Sequence, residues 1–198
     1  IMDMVTMTRL DCALASAGIM RAALAEAVHH TRHRAVFGDK LVDQPLMIRV
    51  LADLALDVAA ATALSLRLAR AFDEAAEDRG AAAFARAMTP VVKYWVCKIC
   101  PSVVYEAMEC LGGNGYVEEA PLARHYREAP LNAIWEGSGN VMALDLLRVI
   151  QQAPSLLETV LDGIAADLGA SGPGTTEVLR AAIGVARSDE GAGRILAE

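Results

Sequence analysis

Leu111-Gly-Gly-Asn-Gly-Tyr116 and Ile134-Trp-Glu-Gly-Ser-Gly-Asn140 decide how this chain is read. Five glycines fall in these two stretches, with Arg124, Arg127 and Glu128 between them, and a carboxylate, Glu136, stands just ahead of the second glycine pair. Glycine-rich loops invite a dinucleotide-binding reading, but neither stretch has the strand before it and the helix after it that such a fingerprint needs. Gly112-Gly-Asn-Gly115 follows a helical pattern, and Gly137-Ser-Gly139 lacks a third glycine at the right place. A Rossmann reading fails. Around both loops lies long apolar periodicity at threes and fours. It predicts an all-α fold, an up-and-down bundle of four main helices with extra C-terminal helices.

Composition agrees. Hydrophobic residues reach 55% with only 5% aromatic, so alanine and leucine supply the apolar surface. Both lead the helix scale, whereas β-branched and aromatic residues dominate strands. A net charge of −7 and a pI near 5.1 argue against nucleic-acid binding, which needs a basic face. No apolar run approaches the roughly 20 residues of a membrane span, and no signal peptide opens the chain. Ile1-Met-Asp-Met-Val-Thr6 reads as the middle of a protein. Four cysteines at irregular spacing read as reduced thiols of a cytoplasmic protein rather than a disulfide frame.

Taken in order, the periodicity predicts a helix from about Thr8 to Arg34, stopped before Phe37-Gly38. A second opens at Pro45 after a short loop and runs to about Ala76, some 30 residues or roughly 45 Å. Asp73 to Gly80 reads as a charged turn, Ala81 to Met88 as a short helical piece, and Thr89-Pro90 as the cap of a third long helix ending near Leu111. Pro101 should bend it. Pro121 to Ala129 is a short helix, and Asn140 to Gln152 a fourth main helix capped by Ser138 or Asn140. Ser155–Leu168 and Thr175–Arg187 follow, split by a glycine-rich linker at 169–174.

The chemistry centres on Glu136. Ile134 and Trp135 are expected to desolvate its carboxylate, Gly137 and Gly139 to let a ligand approach the backbone, and the following helix N-terminus to face the same spot. So placed, a carboxylate abstracts a proton while a backbone N–H receives the charge developing on a carbonyl oxygen. Cys97-x-x-Cys100 has no second pair and reads as buried thiols, and His29, His30 and His33 as a solvated helix end, since two imidazoles do not make a zinc site. No metal is expected. Trp95 and Met88 read as core packing.

Arg34-Ala-Val-Phe37-Gly38, Leu111-Gly-Gly-Asn-Gly-Tyr116 and Trp135-Glu-Gly-Ser-Gly139, in that order and with Arg9 and Gly18 before them, resemble the C-terminal helical domain of acyl-CoA dehydrogenases. Lys93-Tyr-Trp-Val96 and Tyr126-Arg-Glu-Ala-Pro130 through Trp135 resemble the AidB-like branch. The resemblance implies a domain over 1–152, a further helical tail over 153–198, and a fragment lacking the family's N-terminal helical and β domains. It implies Glu136 as the base that removes the α-proton of an acyl-CoA thioester while hydride passes to FAD. Arg34, Phe37, Gln44, Glu109, Gly112, Gly113 and Ser138 are the implied cofactor contacts, and Trp135 and Gly137 the implied substrate contacts. Electron-transferring flavoprotein and assembly as a homodimer or homotetramer follow from the same resemblance. Glu109 stands where the family commonly has glutamine, Gln44 lies one residue early, and Trp135 replaces a commoner tyrosine.

Two other roles are open at the level of sequence. One is an AidB-like protective role on DNA, against which residues 151–198 carry three arginines, no lysine and seven acidic residues. The other is an oligomerisation core without activity.

Overall fold

A computed structural model describes residues 2–189 and 191–197, except for the side chains of Met2, Asp3 and Ile195. Three long helices dominate: α1 (Met2–His33), α2 (Pro45–Glu74) and α3 (Arg79–Leu111). A two-stranded antiparallel hairpin, β1 (Ala35–Val36) and β2 (Asp39–Lys40), joins α1 to the segment before α2. After α3 come a single turn α4 (Gly113–Tyr116), then α5 (Pro121–Glu128), α6 (Gly139–Gln152), α7 (Pro154–Leu168), α8 (Gly172–Ser188) and α9 (Ala192–Ala197). The all-α expectation holds. No helix among the described residues is long and apolar enough to cross a membrane.

The apolar stripes explain the long helices. On α1, Ala13, Ala17, Met20, Ala23 and Ala27 are buried; on α2, Leu51, Leu54, Val58, Ala61, Leu68 and Ala71 are. Steps of three and four keep each set on one face. Small alanines let the stripe be buried with little side-chain entropy lost.

Several boundaries differ from the sequence reading. α1 starts at Met2, not Thr8, and the Thr8 hydroxyl donates back to the Met4 and Val5 carbonyls from within it. Thr89-Pro90 opens no new helix: α3 runs unbroken from Arg79, and the Thr89 hydroxyl donates to the Ala85 carbonyl at 2.6 Å inside it. As expected, α3 continues through Pro101 to Leu111. Burial of its apolar residues outweighs the bonds the two prolines cannot make. The glycine-rich segment at 169–174 is a 3₁₀ turn followed by the start of α8, not an extended linker.

The chain divides into two compact units. One comprises residues 1–10, 66–95 and 136–198, the other residues 11–65 and 96–135. In the first, Tyr94 of α3 shares a core with Met142, Leu146, Leu147 and Ile150 of α6, Leu157 and Leu161 of α7, and Ile183 and Ala186 of α8. Arg180 of α8 pairs with Glu158 and Asp162 of α7. In the second, α1 and α3 meet through thiols and a hydroxyl: Ser16 Oγ and Cys97 Sγ lie 3.5 Å apart, and Cys100 Sγ donates to the Ser16 carbonyl.

Candidate active site

The Glu136 corner is built from the backbone outward. Ahead of it, Leu131–Ala133 forms a 3₁₀ turn, the Ile134 and Trp135 N–H groups both donate to the Leu131 carbonyl, and Trp135 Nε1 donates to Asn132 Oδ1 at 2.9 Å. The chain then reverses. Glu136 has φ +57° and Gly137 φ +101°. A left-handed glutamate costs on the order of 1–3 kcal/mol and persists only where its surroundings over-determine it. Gly137 is required as well, since a Cβ there would lie 2.9 Å from Val141 Cγ1 at a φ that side chains avoid. Ser138 occupies the N-cap of α6, but its side chain makes no capping bond; its carbonyl accepts the Met142 N–H at 3.0 Å. The Asn140 side chain accepts from Arg194 instead.

Buried cations supply the over-determination. Arg9 Nε donates to the Glu136 carbonyl at 3.1 Å, and Lys93 Nζ to the Gly137 carbonyl at 2.5 Å. Arg9 is 8% exposed and Lys93 1%. Arg9 Nη1 is in turn fixed by Asp145 Oδ2 at 2.8 Å, and Asp145 Oδ1 also receives Arg86 Nη2 at 2.9 Å. Two guanidiniums on one buried carboxylate form charge-assisted bonds that orient Arg9 toward the corner.

The expected desolvation of Glu136 by its neighbours is corrected. Ile134 is 64% and Trp135 51% exposed, and Glu136 itself is exposed. The side chains before the corner do not enclose the carboxylate in this chain.

The second unit holds the other expected contacts. A cleft of about 610 Å³ brings together Arg34, Glu109, Gly112 and Gly113 with His30 and Asn114. Gly112 turns the chain with φ +59° and begins α4; Gly115 closes that turn where a Cβ would stand 2.4 Å from the Met108 carbonyl oxygen. Two expected cofactor contacts of this unit, Phe37 and Gln44, do not line the cleft, and Ser138 belongs to the first unit. Phe37 sits fully exposed at the hairpin corner, φ +55°, and Gln44 Nε2 donates to the Val36 carbonyl at 3.1 Å, bracing the hairpin. Glu109 is engaged along α3: the Tyr105 hydroxyl is hydrogen-bonded to it, and that bond with the carboxylate's charge pushes the phenol above its ordinary range.

The motifs set aside behave as structural groups. All four cysteines are buried, and burial pushes the Cys100 thiol up to about 12 and the Cys110 thiol to about 11. His29 and His33 are exposed at the end of α1, with His33 Nδ1 2.7 Å from the His29 carbonyl oxygen. Trp95 and Met88 are half-buried, while their neighbours Lys93, Tyr94 and Thr89 are more deeply covered. Sequence reasoning missed Lys93 and Asp145 as site residues. The available signal was a lone charge inside an apolar run, Val91-Val92-Lys93-Tyr94-Trp95-Val96, and inside the apolar face of α6.

Residues 1–151 match the family model for the acyl-CoA dehydrogenase C-terminal domain. The chain is 52% identical to the Escherichia coli (strain K12) protein AidB over 152 residues, 77% of this chain and 28% of that one. It superposes on the crystal structure of Caenorhabditis elegans ACDH-11 in complex with C11-CoA with a TM-score of 0.86 at 28% identity, covering 98% of this chain and 37% of that one. Butyryl-CoA dehydrogenase from Megasphaera elsdenii gives a TM-score of 0.64 at 30% identity, covering 73% and 37%. The chain thus spans roughly a quarter to a third of the length of such relatives. On the match over residues 1–151, with the AidB-like branch supported by the 52% identity, the chain belongs to the acyl-CoA dehydrogenase family, whose C-terminal helical domain it carries.

Proposed function

We propose that this chain supplies the catalytic base and part of the cofactor site of a flavin-dependent acyl-CoA dehydrogenase. The observation that carries the reading is the Glu136 corner: a solvent-facing carboxylate on a strained turn, backed by two buried cations and followed at once by a helix N-terminus. Strain of this kind collects where a side chain must be aimed.

In this reading Glu136 takes the α-proton of the thioester. Its side chain is exposed, so an incoming thioester can reach it. The backbone N–H of Glu136 polarises the thioester carbonyl, so charge developing there meets a fixed dipole. Trp135 and Gly137 are assigned as contacts to the acyl substrate, and Ser138 as a contact to the cofactor.

The donor set of the cleft fits part of a flavin dinucleotide. Arg34 and Asn114 offer side-chain donors, and the glycines at 112 and 113 allow close backbone approach. Glu109 would oppose a phosphate, but its bond to Tyr105 directs the carboxylate along α3. When bound, FAD accepts the hydride that leaves the β-carbon. Phe37, exposed on its hairpin, and Gln44, bracing that hairpin, are assigned as contacts to a cofactor held by a second subunit of a dimer or tetramer. Electron-transferring flavoprotein is the proposed electron acceptor, and residues 153–198 the proposed tail of the domain.

Anaerobic flavin bleaching of the intact protein against acyl-CoAs of graded length and branching tests this. Rapid bleaching with one class supports the reading and names the substrate. Firmly bound FAD with no bleaching by any acyl-CoA overturns it in favour of a flavin-stabilised binding role.

A further inference from the structure

We propose that Lys93 is a positioning residue for the base, acting through the Gly137 carbonyl; this rests on the reading of Glu136 as that base. In a helix the N-cap carbonyl accepts the first bond of the ladder. Ser138 is that N-cap, so the Gly137 carbonyl, one residue earlier, lies outside the ladder of α6. Lys93 gives it a donor at 2.5 Å from the side of α3.

Packing does not ask for a lysine at this position. It is 1% exposed, and a leucine or methionine would be buried there without placing an ammonium out of water. Such a charge costs several kcal/mol to bury unless its bonds are good. What the ammonium does is hold one end of the strained turn. Arg9, from α1, holds the preceding carbonyl at Glu136. The Glu136 carbonyl belongs to the 136–137 peptide and the Gly137 carbonyl to the 137–138 peptide, so grips from two different helices hold both planes and with them the dihedrals of Gly137 between them; a single grip leaves Gly137 a swivel. Gly137 carries the second half of the turn, so fixing it keeps Glu136 in the conformation that aims its side chain. Lys93 touches neither substrate nor cofactor in this scheme.

The test uses the intact protein with Lys93→Met, which keeps an unbranched side chain and removes the donors, beside Lys93→Arg and Lys93→Ala. Three quantities are read: kcat and KM with the best acyl-CoA, hydrogen–deuterium exchange of the amides at 137–140, and recovery of Lys93→Ala on adding ethylamine. A displacement of about 1 Å at a reacting group costs up to about 100-fold in rate. We expect Lys93→Met to lower kcat by about 10- to 100-fold with KM changed by less than about threefold. Its amides at 137–140 should exchange about tenfold faster while α3 and α6 elsewhere keep their protection. Lys93→Arg should recover part of kcat, and ethylamine part of the activity of Lys93→Ala.

Unchanged exchange at 137–140 in Lys93→Met overturns the proposal. So does a kcat loss that tracks only a fall in Tm and that neither arginine nor ethylamine restores. Should Lys93→Met not fold, the arginine variant and the amine recovery decide alone. Were Glu136→Gln to keep its activity, the base assignment would fall while the exchange data would still judge the grip on Gly137.

Discussion

Two corners of this molecule each set two successive residues at positive φ and hold them there by different means. Phe37-Gly38 has φ of +55° and +95°; Glu136-Gly137 has +57° and +101°. The first is the tip of a hairpin whose register, Ala35 opposite Lys40 and Val36 opposite Asp39, itself demands two left-handed residues, as two-residue turns between twisted strands do. Its support is local, with Gln44 eight residues away as a brace. The second has no paired strands. Its support comes from Arg9 and Lys93, separated from it in sequence by 127 and 44 residues. A turn that only has to reverse the chain is maintained by its neighbours; one that has to aim a carboxylate is maintained by the tertiary structure.

The largest test of that distinction is chemical. Glu136→Gln removes the base while leaving the corner's size and grips, and should slow flavin reduction in the intact protein by about 100- to 10,000-fold, read by anaerobic stopped flow. Retention of most of the rate would place the base elsewhere and leave the corner a structural curiosity.

Next comes the anchor behind Arg9. Asp145→Ala strands the buried Arg9 guanidinium, and breaking such a pair from one side costs about 3–5 kcal/mol. Denaturant unfolding should show that loss. Removing Gln44, the hairpin's brace, should cost only about 1 kcal/mol, the size of one ordinary hydrogen bond. Equal losses at the two positions would break the comparison.

A matched glycine pair sharpens it further. Gly38→Ala meets no atom within 4 Å and pays for its positive φ alone, about 1 kcal/mol. Gly137→Ala bears the same backbone strain and also presses Val141 Cγ1 and Met142 Cε, both under 3.0 Å from the added carbon, for about 2–3 kcal/mol. Thermal melts of the two variants give the difference directly.

The smallest effect at neutral pH separates the two compact units. The hairpin's unit contains every cysteine, whereas the corner's unit buries charges. Burial raises the Cys100 and Cys110 thiols to about 12 and about 11 from an ordinary value of 9.0, so the folded state keeps protons that the unfolded chain releases. The stability this contributes is complete below pH 9 and is lost as pH rises toward 11 and 12. Denaturation midpoints should therefore show no thiol contribution to pH dependence between pH 7 and 8.5, and a decline above 9 that Cys100→Ala reduces.

How much of this was legible depends on how far apart the cooperating residues stand. The stripes of α1 and α2 were visible because their period is local. Glu136, Arg34, Gly112 and Gly113 were singled out by motif, and the last three do line one cleft together with Glu109. Thr89-Pro90 misled, because a local capping signal was outweighed by the burial of α3, where Thr89 bonds backward to Ala85. The hairpin escaped notice since Phe37 is an unusual residue for a left-handed position. Lys93 and Asp145 were beyond reach as partners: a charge in an apolar run signals a buried polar contact, but not which carbonyl or guanidinium, on which other helix, will meet it.

The core around Tyr94 reaches past the last residue of the family's shared domain. Met142, Leu146, Leu147 and Ile150 of α6 pack with Leu157 and Leu161 of α7, Ile183 and Ala186 of α8, and Ala197 of α9. Anyone trimming the gene at codon 152 to obtain a smaller crystallisable piece would strip the cover from that face of α6. The shortened product should be sticky and poorly expressed, and the cut would reach the base itself, because the helix left uncovered is the one whose first turn follows Glu136.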